Sequence, residues 1–249
     1  MLSIFKNVFA SKADAMADFS AIGADMHSHL IPAVDDGAKS LENSIEMIKG
    51  LINLGYKSIT TTPHIMWDYY KNTTPILKLG LEKIQNELRN QKIDFKINVS
   101  AEYFADEHFE KLIQTGDLIP IAQNYVLFEV AFNNEYRNIR KVIFDLQMKG
   151  YKPIFAHPER YGHMYDDFKK YEELFDTGIL FQLNILSLNG HYGPPAQKIA
   201  EQLIKNKMIR FVGTDMHNTR HLAEMPQLLK NKHLRELIDS GRLMNNQLL

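Results

Sequence analysis

The sequence has no cysteine, a single tryptophan and no long apolar run. Without a thiol, disulfides, thiolate metal sites and any phosphocysteine route to phosphate-ester cleavage are excluded. No stretch approaches the ~18 consecutive apolar residues that a membrane-spanning helix needs. Charge nearly cancels: 29 Lys and Arg stand against 30 Asp and Glu, a net of −1. That argues against a broad electrostatic footprint for a nucleic-acid backbone or an anionic membrane. The opening residues Met1-Leu2-Ser3-Ile4-Phe5-Lys6 lack a sustained apolar core and soon meet Lys12, Asp14 and Asp18, a poor signal peptide, so a cytoplasmic location is expected. With these classes set aside, 249 residues at 45% hydrophobic and 24% charged suit a single soluble α/β domain.

From residue 24 onward one theme repeats: a short apolar run ends in a polar residue and a helical stretch follows. Strands are expected at 24–27, 58–62, 97–101, 125–129, 153–157, 179–184 and 209–213, spaced at about the length of a βα unit. Between them, Ser40 can cap a helix with Leu41, Ile45, Ile48 and Leu51 on its apolar face. Thr74 is expected to cap a second helix before Pro75, Asn138 to start a third, and Pro194-Pro195 to open a fourth. Seven such units, with no Gly-x-Gly-x-x-Gly fingerprint, predict a closed parallel (β/α)7 barrel of the triose-isomerase (TIM) kind over 24–249. Residues 1–23 are expected to form a short amphipathic helix through Phe5, Val8, Phe9 and Met16, packed on the body of the domain.

The strand ends carry the chemistry. In Asp25-Met26-His27-Ser28-His29 the two histidines sit at i and i+2, so a strand projects both imidazoles to one side. Alone, a His-x-His pair is a weak metal signal, and a strand-terminal Glu or His is usually just solvated. Here six of the seven strands end in such a group, supplying His27, His29, Asp36, His64, Glu102, Glu129, His157, Asp215 and His217. In a barrel these ends surround one mouth, and so dense a set of carboxylates and imidazoles needs bound cations to be tolerated. The set is too large for one ion and fits two or three. An all-N/O donor set suits Mn²⁺, Zn²⁺, Fe²⁺ or Co²⁺, while five histidines argue against Ca²⁺ and a purely Mg²⁺ site. Arg160, three residues past His157, and Arg137, after the fourth strand, can hold phosphate oxygens through two donors each. Trp67, Tyr69, Tyr70, Tyr103 and Phe104 are candidate pocket walls, and His191 is the best of the remaining histidines for a substrate contact.

Asp25-Met26-His27-Ser28-His29, Val34-Asp35-Asp36-Gly37, Thr62-Pro63-His64, Ala101-Glu102-Tyr103, Phe128-Glu129, Ala156-His157-Pro158-Glu159-Arg160-Tyr161 and Thr214-Asp215-Met216-His217 together resemble the polymerase-and-histidinol-phosphatase (PHP) superfamily. More closely they are similar to its bacterial manganese-dependent protein-tyrosine phosphatases of capsule and exopolysaccharide loci, the CpsB/YwqE type. The resemblance implies a distorted (β/α)7 barrel holding three metals through those nine residues, Mn²⁺ first with Fe, Zn, Co or Mg as alternatives. It further implies Arg160 and Arg137 on the phosphate, and hydrolysis of phosphotyrosine on the tyrosine-rich tail of a membrane-associated bacterial tyrosine kinase. A histidinol-phosphate or other small-molecule phosphatase on the same fold is the rival reading, and a non-catalytic metal-binding regulatory module is the rival from another class. Nucleic acid is not an expected partner, and homo-oligomerisation is left open. Two stretches depart from the pattern: the first 23 residues, and Leu243-Met244-Asn245-Asn246 where many relatives carry Asn-Pro.

Overall fold

The alternating pattern is realised as short parallel strands, single or in consecutive pairs, with a helix after each strand or pair, in a computed structural model that describes residues 16–249. In order these are β1 (Ala24–Asp25), α1 (Leu41–Asn53), β2 (Ser58–Thr61), β3 (His64–Ile65), α2 (Thr74–Asn90), β4 (Lys96–Val99) and β5 (Glu102–Phe104). There follow α3 (Glu107–Thr115), β6 (Tyr125–Glu129), α4 (Ile139–Met148), β7 (Lys152–Ala156) and α5 (Lys169–Phe175). The chain closes with β8 (Leu180–Asn184), α6 (Pro194–Lys205), β9 (Ile209–Gly213), α7 (Thr219–Glu224) and α8 (Lys232–Asp239). The strands form two parallel sheets, ordered β1-β2-β4 and β3-β5-β6-β7-β8-β9.

Two of the seven expected strands are each split in two, and the reason is local. Pro63 has no N–H to give to the ladder, so pairing pauses there. It resumes in the same register: Thr61 pairs with Val99 before the break and His64 with Glu102 after it, at one constant sequence offset. Ser100 N still donates to Thr61 O at 2.8 Å within the gap. At the other edge, β1 meets the segment after β9. Asp215 N donates to His27 O (2.8 Å), His29 N donates to Met216 O (2.9 Å), and Ser28 and Met216 form a parallel bridge. Side chains complete this seam. The buried Asn245 donates through Nδ2 to Ala24 O (2.9 Å) and Val212 O (2.7 Å) and accepts from Val212 N (3.0 Å). Asp25 accepts from Thr214 N (2.9 Å) and Thr214 Oγ1 (2.7 Å).

Strand alternation sorts the side chains into two apolar clusters. On β6, Val126 and Phe128 face the larger cluster, with helix residues such as Ile48, Leu77, Phe109, Val142 and Leu203. Tyr125 and Leu127 face a smaller one with Ala24, Met26, Ile154, Ala156 and Phe211. Glu129 follows Leu127 by two, so it continues the inner face at the C-terminal end of β6. Ser40 caps α1 as expected, Oγ accepting from Asn43 N at 3.2 Å. Thr74 does not cap α2: Thr73 is the N-cap, and the Thr74 hydroxyl, inside the first turn, donates to Asp117 Oδ1 at 3.3 Å. Of the expected N-terminal helix, Phe5, Val8 and Phe9 lie outside the described residues. Residues 16–23 run as bends and turns with Phe19 and Ile22 buried, Phe19 stacking on Tyr56 with ring centroids 5.7 Å apart.

Candidate metal centre

The strand ends do converge. His27 and His29 leave β1 on one side, Asp36 comes from the loop before α1, and His64, Glu102 and Glu129 come from β3, β5 and β6. His157 follows β7, and Asp215 and His217 follow β9. Eight of the nine fall into three groups whose donor atoms lie within 4.8 Å of one another: His27, His29, Glu102 and Asp215; His29, Asp36, His64 and His217; and His64, Glu102 and Glu129. His157 joins through Nε2, 2.9 Å from Glu102 Oε1. The first group is wholly buried. The outer residues border a cleft of about 370 Å³, whose lining includes Asp36, His64, Glu129, Arg160 and His217.

Backbone shape serves this convergence. A side chain at Gly213 would place its Cβ 2.6 Å from His27 Cβ, and one at Gly37 would lie 2.2 Å from His29 O. His157 (φ 33°) and Asp215 (φ 49°) are held in the left-handed region, unusual for residues with a Cβ. Such strain persists only where the surroundings over-determine it, and it clusters at functional sites.

Hydrogen bonds fix how the two inner imidazoles point. Gln182 Nε2 donates to Leu183 O (2.8 Å), which turns Gln182 Oε1 toward His27, and His27 Nδ1 donates to it at 2.8 Å. His29 Nδ1 donates to Asp35 Oδ2 at 2.9 Å. Both Nε2 atoms are therefore left as bare lone pairs, and they face each other at 3.3 Å. Glu102 Oε2 lies 3.1 Å from His27 Nε2, 3.4 Å from His29 Nε2 and 3.2 Å from His64 Nδ1, while Asp215 Oδ1 lies 3.3 Å from both inner Nε2 atoms. Glu102 Oε2, Asp215 Oδ1 and His64 Nδ1 are buried with no hydrogen-bond partner among the described residues. Converging, unpartnered acceptors are the arrangement a cation resolves, and imidazole with carboxylate is a donor set for first-row divalent ions. The residues fit a bound metal.

In the metal-free protein, protons take part of that role. Burial opposes charging His27, but the Glu102 and Asp215 carboxylates outweigh it and raise the imidazole to about 9. Burial likewise disfavours ionised Glu102, yet the charges of His27 and His64 hold it well below the usual carboxylate range. Asp215 is held down in the same way, burial being overcome by His27 and His217.

Arg160 lines the cleft. Its Nη1 donates to Asp215 Oδ2 at 2.8 Å, and its guanidinium lies 4.5 Å from the Phe132 ring centre and 4.1 Å from that of Tyr192. Arg137 is exposed on the loop between β6 and α4 and is not among the residues bordering the cleft. Tyr69, Tyr70 and Phe104 line the cleft with Met66, Val130 and Phe132. Tyr103, one residue from Glu102 on β5, points the other way. It is fully buried, stacks on Phe109 and accepts from Ile119 N, so it belongs to the core. Trp67 stacks on His108 away from the cleft lining, and His191 donates to Glu224 at 2.6 Å rather than facing the cleft.

Several contributors were not expected. Asp35, beside the expected Asp36, accepts from His29 and also from His64 N (3.0 Å) and Gly37 N (2.9 Å), tying the loop to two candidate ligands. Gln182 and Asn184 lie on β8, the strand for which no ligand was expected. Polar residues at every second position there, Gln182 and Asn184 alternating with Phe181 and Leu183, were the available signal. A register irregularity between Phe181 and Gln182 re-aims this stretch.

A family model described as capsular polysaccharide synthesis, CpsB/CapC, matches residues 23–239. The tyrosine-protein phosphatase YwqE of Bacillus subtilis is 28% identical over 218 residues, covering 86% of each chain. The tyrosine-protein phosphatase CpsB of Streptococcus agalactiae is 27% identical over 232 residues, covering 90% of this chain and 93% of the relative. A solved structure from work on YwqE of Bacillus subtilis and CpsB of Streptococcus pneumoniae, described as metal-dependent tyrosine phosphatases, superposes with a TM-score of 0.78 at 28% identity. It covers 87% of this chain and 90% of its own.

Proposed function

The chain belongs to the CpsB/CapC family, and on that premise we propose that it is a metal-dependent phosphatase acting on phosphotyrosine in proteins. The observation that carries this reading is the convergence of unpartnered buried acceptors, Glu102 Oε2 and Asp215 Oδ1 among them, at the floor of a cleft bordered by Arg160. The nine residues are assigned to two or three ions, Mn²⁺ first. Glu102 would be the ligand shared between ions: one of its oxygens faces His27, His29 and His64 and the other faces His157.

Bound there, divalent ions supply Lewis-acid charge and make water available as a nucleophile near neutral pH. The chain's own residues do the rest. Arg160 commits Nη1 to Asp215 and keeps its other donors for phosphate oxygens, its plane held between Phe132 and Tyr192. Met66, Tyr69, Phe104, Val130 and Phe132 give the cleft an apolar side on which an aromatic leaving group can lie. A tyrosyl group, with a pKa of about 10, needs little protonation to depart. Arg137 is assigned a second phosphate contact, which requires the exposed loop that also carries Phe132 to bring it to the cleft.

The finer points of the reading rest on the same premise. The strands are taken as a closed ring of seven, with β2–β3 and β4–β5 each counted once; the constant register across Pro63 and the bonds between His27–His29 and Asp215–Met216 support closure. The substrate is taken to be the tyrosine-rich tail of a membrane-associated bacterial tyrosine kinase, met in the cytoplasm. No helix among the described residues is long and apolar enough to cross a membrane.

The test is chelation, exhaustive dialysis and then stepwise return of Mn²⁺, with kcat/KM measured on a phosphotyrosyl peptide and on histidinol phosphate. The expected result is loss and recovery of activity with the peptide strongly preferred, and no effect of iodoacetamide. Activity that survives metal removal sinks the metal reading. Preference for histidinol phosphate moves the protein to small-molecule chemistry.

A further inference from the structure

Glu159 lies between His157 and Arg160 in the sequence yet takes no part in the cluster of donors. It is fully buried, and its Oε1 accepts from Asn184 N at 3.0 Å and from Ser187 Oγ at 2.6 Å. Asn184, also fully buried, is fixed at every polar atom of its side chain. Oδ1 accepts from Leu186 N (3.0 Å), and Nδ2 donates to Tyr192 OH (2.9 Å) and to Asp215 Oδ2 (2.9 Å). Asp215 Oδ2 thus receives two donors, Asn184 Nδ2 and Arg160 Nη1, whereas Oδ1 has no hydrogen bond among the described residues and faces His27, His29 and His217, each at 3.3 Å.

This asymmetry has a chemical meaning. A carboxylate free to turn about its last torsion can offer a metal one oxygen or both. With Oδ2 tethered, turning Asp215 to chelate would break two hydrogen bonds inside a buried site, where unmade bonds are costly. We propose that Glu159 and Asn184 are positioning residues for metal binding, a buttress from the ends of β7 and β8 that makes Asp215 a one-oxygen ligand through Oδ1. The inference rests on the metal reading given above. It differs from a merely structural role because the buttress ends on a ligand oxygen: its loss must change how the site holds an ion, beyond any change in how well the chain folds.

The experiment is calorimetric titration of chelated protein with Mn²⁺, beside thermal unfolding of the same metal-free samples. Asn184→Ser keeps an oxygen able to cap Leu186 N but cannot reach Asp215. Glu159→Leu removes the acceptor for Asn184 N and Ser187, and Glu159→Gln keeps it at similar volume. Asn184→Ser and Glu159→Leu are expected to weaken one class of Mn²⁺ site by about 10- to 100-fold, the usual cost of losing a hydrogen bond that orients a ligand. The other sites should keep their affinity, and Glu159→Gln should bind as the parent protein does. Variants that melt earlier when metal-free yet bind every Mn²⁺ ion with parental affinity would overturn the proposal. If Asn184→Ser or Glu159→Leu does not fold, Ser187→Ala decides it. That change removes only the hydroxyl that donates to Glu159, and a weakened Mn²⁺ site supports the buttress while unchanged binding overturns it. Parent protein that binds no Mn²⁺ at all refutes the metal reading itself, an outcome the titration separates from the other two.

Discussion

The inner and outer halves of the site solve different problems with the same residue types. His27, His29, Glu102 and Asp215 are all buried, and their second atoms are tied to Gln182, Asp35, His157 and Asn184. Asp36, His64 and His217 border the cleft with side chains 53%, 12% and 17% exposed. Asp36 Oδ1 stands 3.6 Å from His64 and 3.5 Å from His217, both on the rim. Buried donors are held in place before any ion arrives; rim donors can adjust and can be reached by water and substrate. On the metal reading, the inner half is suited to keeping an ion and the outer half to exchanging one.

The most severe way to break this comparison is Glu102→Gln. It takes the shared charge from the inner half, and turnover at saturating Mn²⁺ is expected to fall by more than about 100-fold, with metal content reduced by at least one ion per chain. A variant within tenfold of the parent would remove Glu102 from the centre of the design.

Next comes pH. The Glu102 and Asp215 carboxylates overcome burial and raise His27 to about 9 in metal-free protein. A raised folded-state pKa stabilises fully below the unfolded value, near 6.5 for imidazole, and that stabilisation is lost as pH climbs through the folded value. Chelated protein should therefore lose on the order of 1–3 kcal/mol in urea unfolding between pH 6.5 and 9.5. Mn²⁺ binding should follow the opposite trend, strengthening with pH as protons leave the ligands. Chelated protein that gains stability toward pH 9.5 would contradict the account of the inner half.

Asp36→Asn probes the outer half. The Mn²⁺ concentration for half-maximal activity is expected to rise about tenfold, while unfolding in the absence of metal shifts by no more than about 0.5 kcal/mol, as befits an exposed side chain. A large stability loss would mean that the rim is as structural as the floor. The mildest effect is expected of Tyr69→Ala on the apolar wall: KM for aryl phosphates up roughly 2- to 5-fold, kcat unchanged.

Most of the candidate ligands were legible in the sequence because they end a run whose periodicity is local and simple; Asp36, in the loop before α1, is the exception. Glu129 falls on the inner face of β6 by counting twos from Leu127. Counting twos along β5 would also have separated Phe104, in the cleft, from Tyr103, in the core. The bonds that orient the ligands were hidden because they join residues far apart in the chain. His27 meets Gln182 and Asp215 meets Asn184 only once the strands stand side by side. Fold class was readable on the same terms: the parallel α/β pattern is local, whereas the break at Pro63 and the side-chain seam at Asn245 depend on which strand lies opposite.

That seam bears on how the protein is made. Asn245 bonds to both Ala24 and Val212, and His27 meets Asp215 only across the same junction. During synthesis from the N-terminus, His27, His29, His64, Glu102, Glu129 and His157 all emerge before the partner that completes the buried floor. A nascent chain therefore carries most of the candidate metal site long before its buried floor is complete. Such widely separated contacts form late, since the loop between them must be closed first. On the metal reading, a chain that stops short of Asp215 lacks the residue that completes that floor.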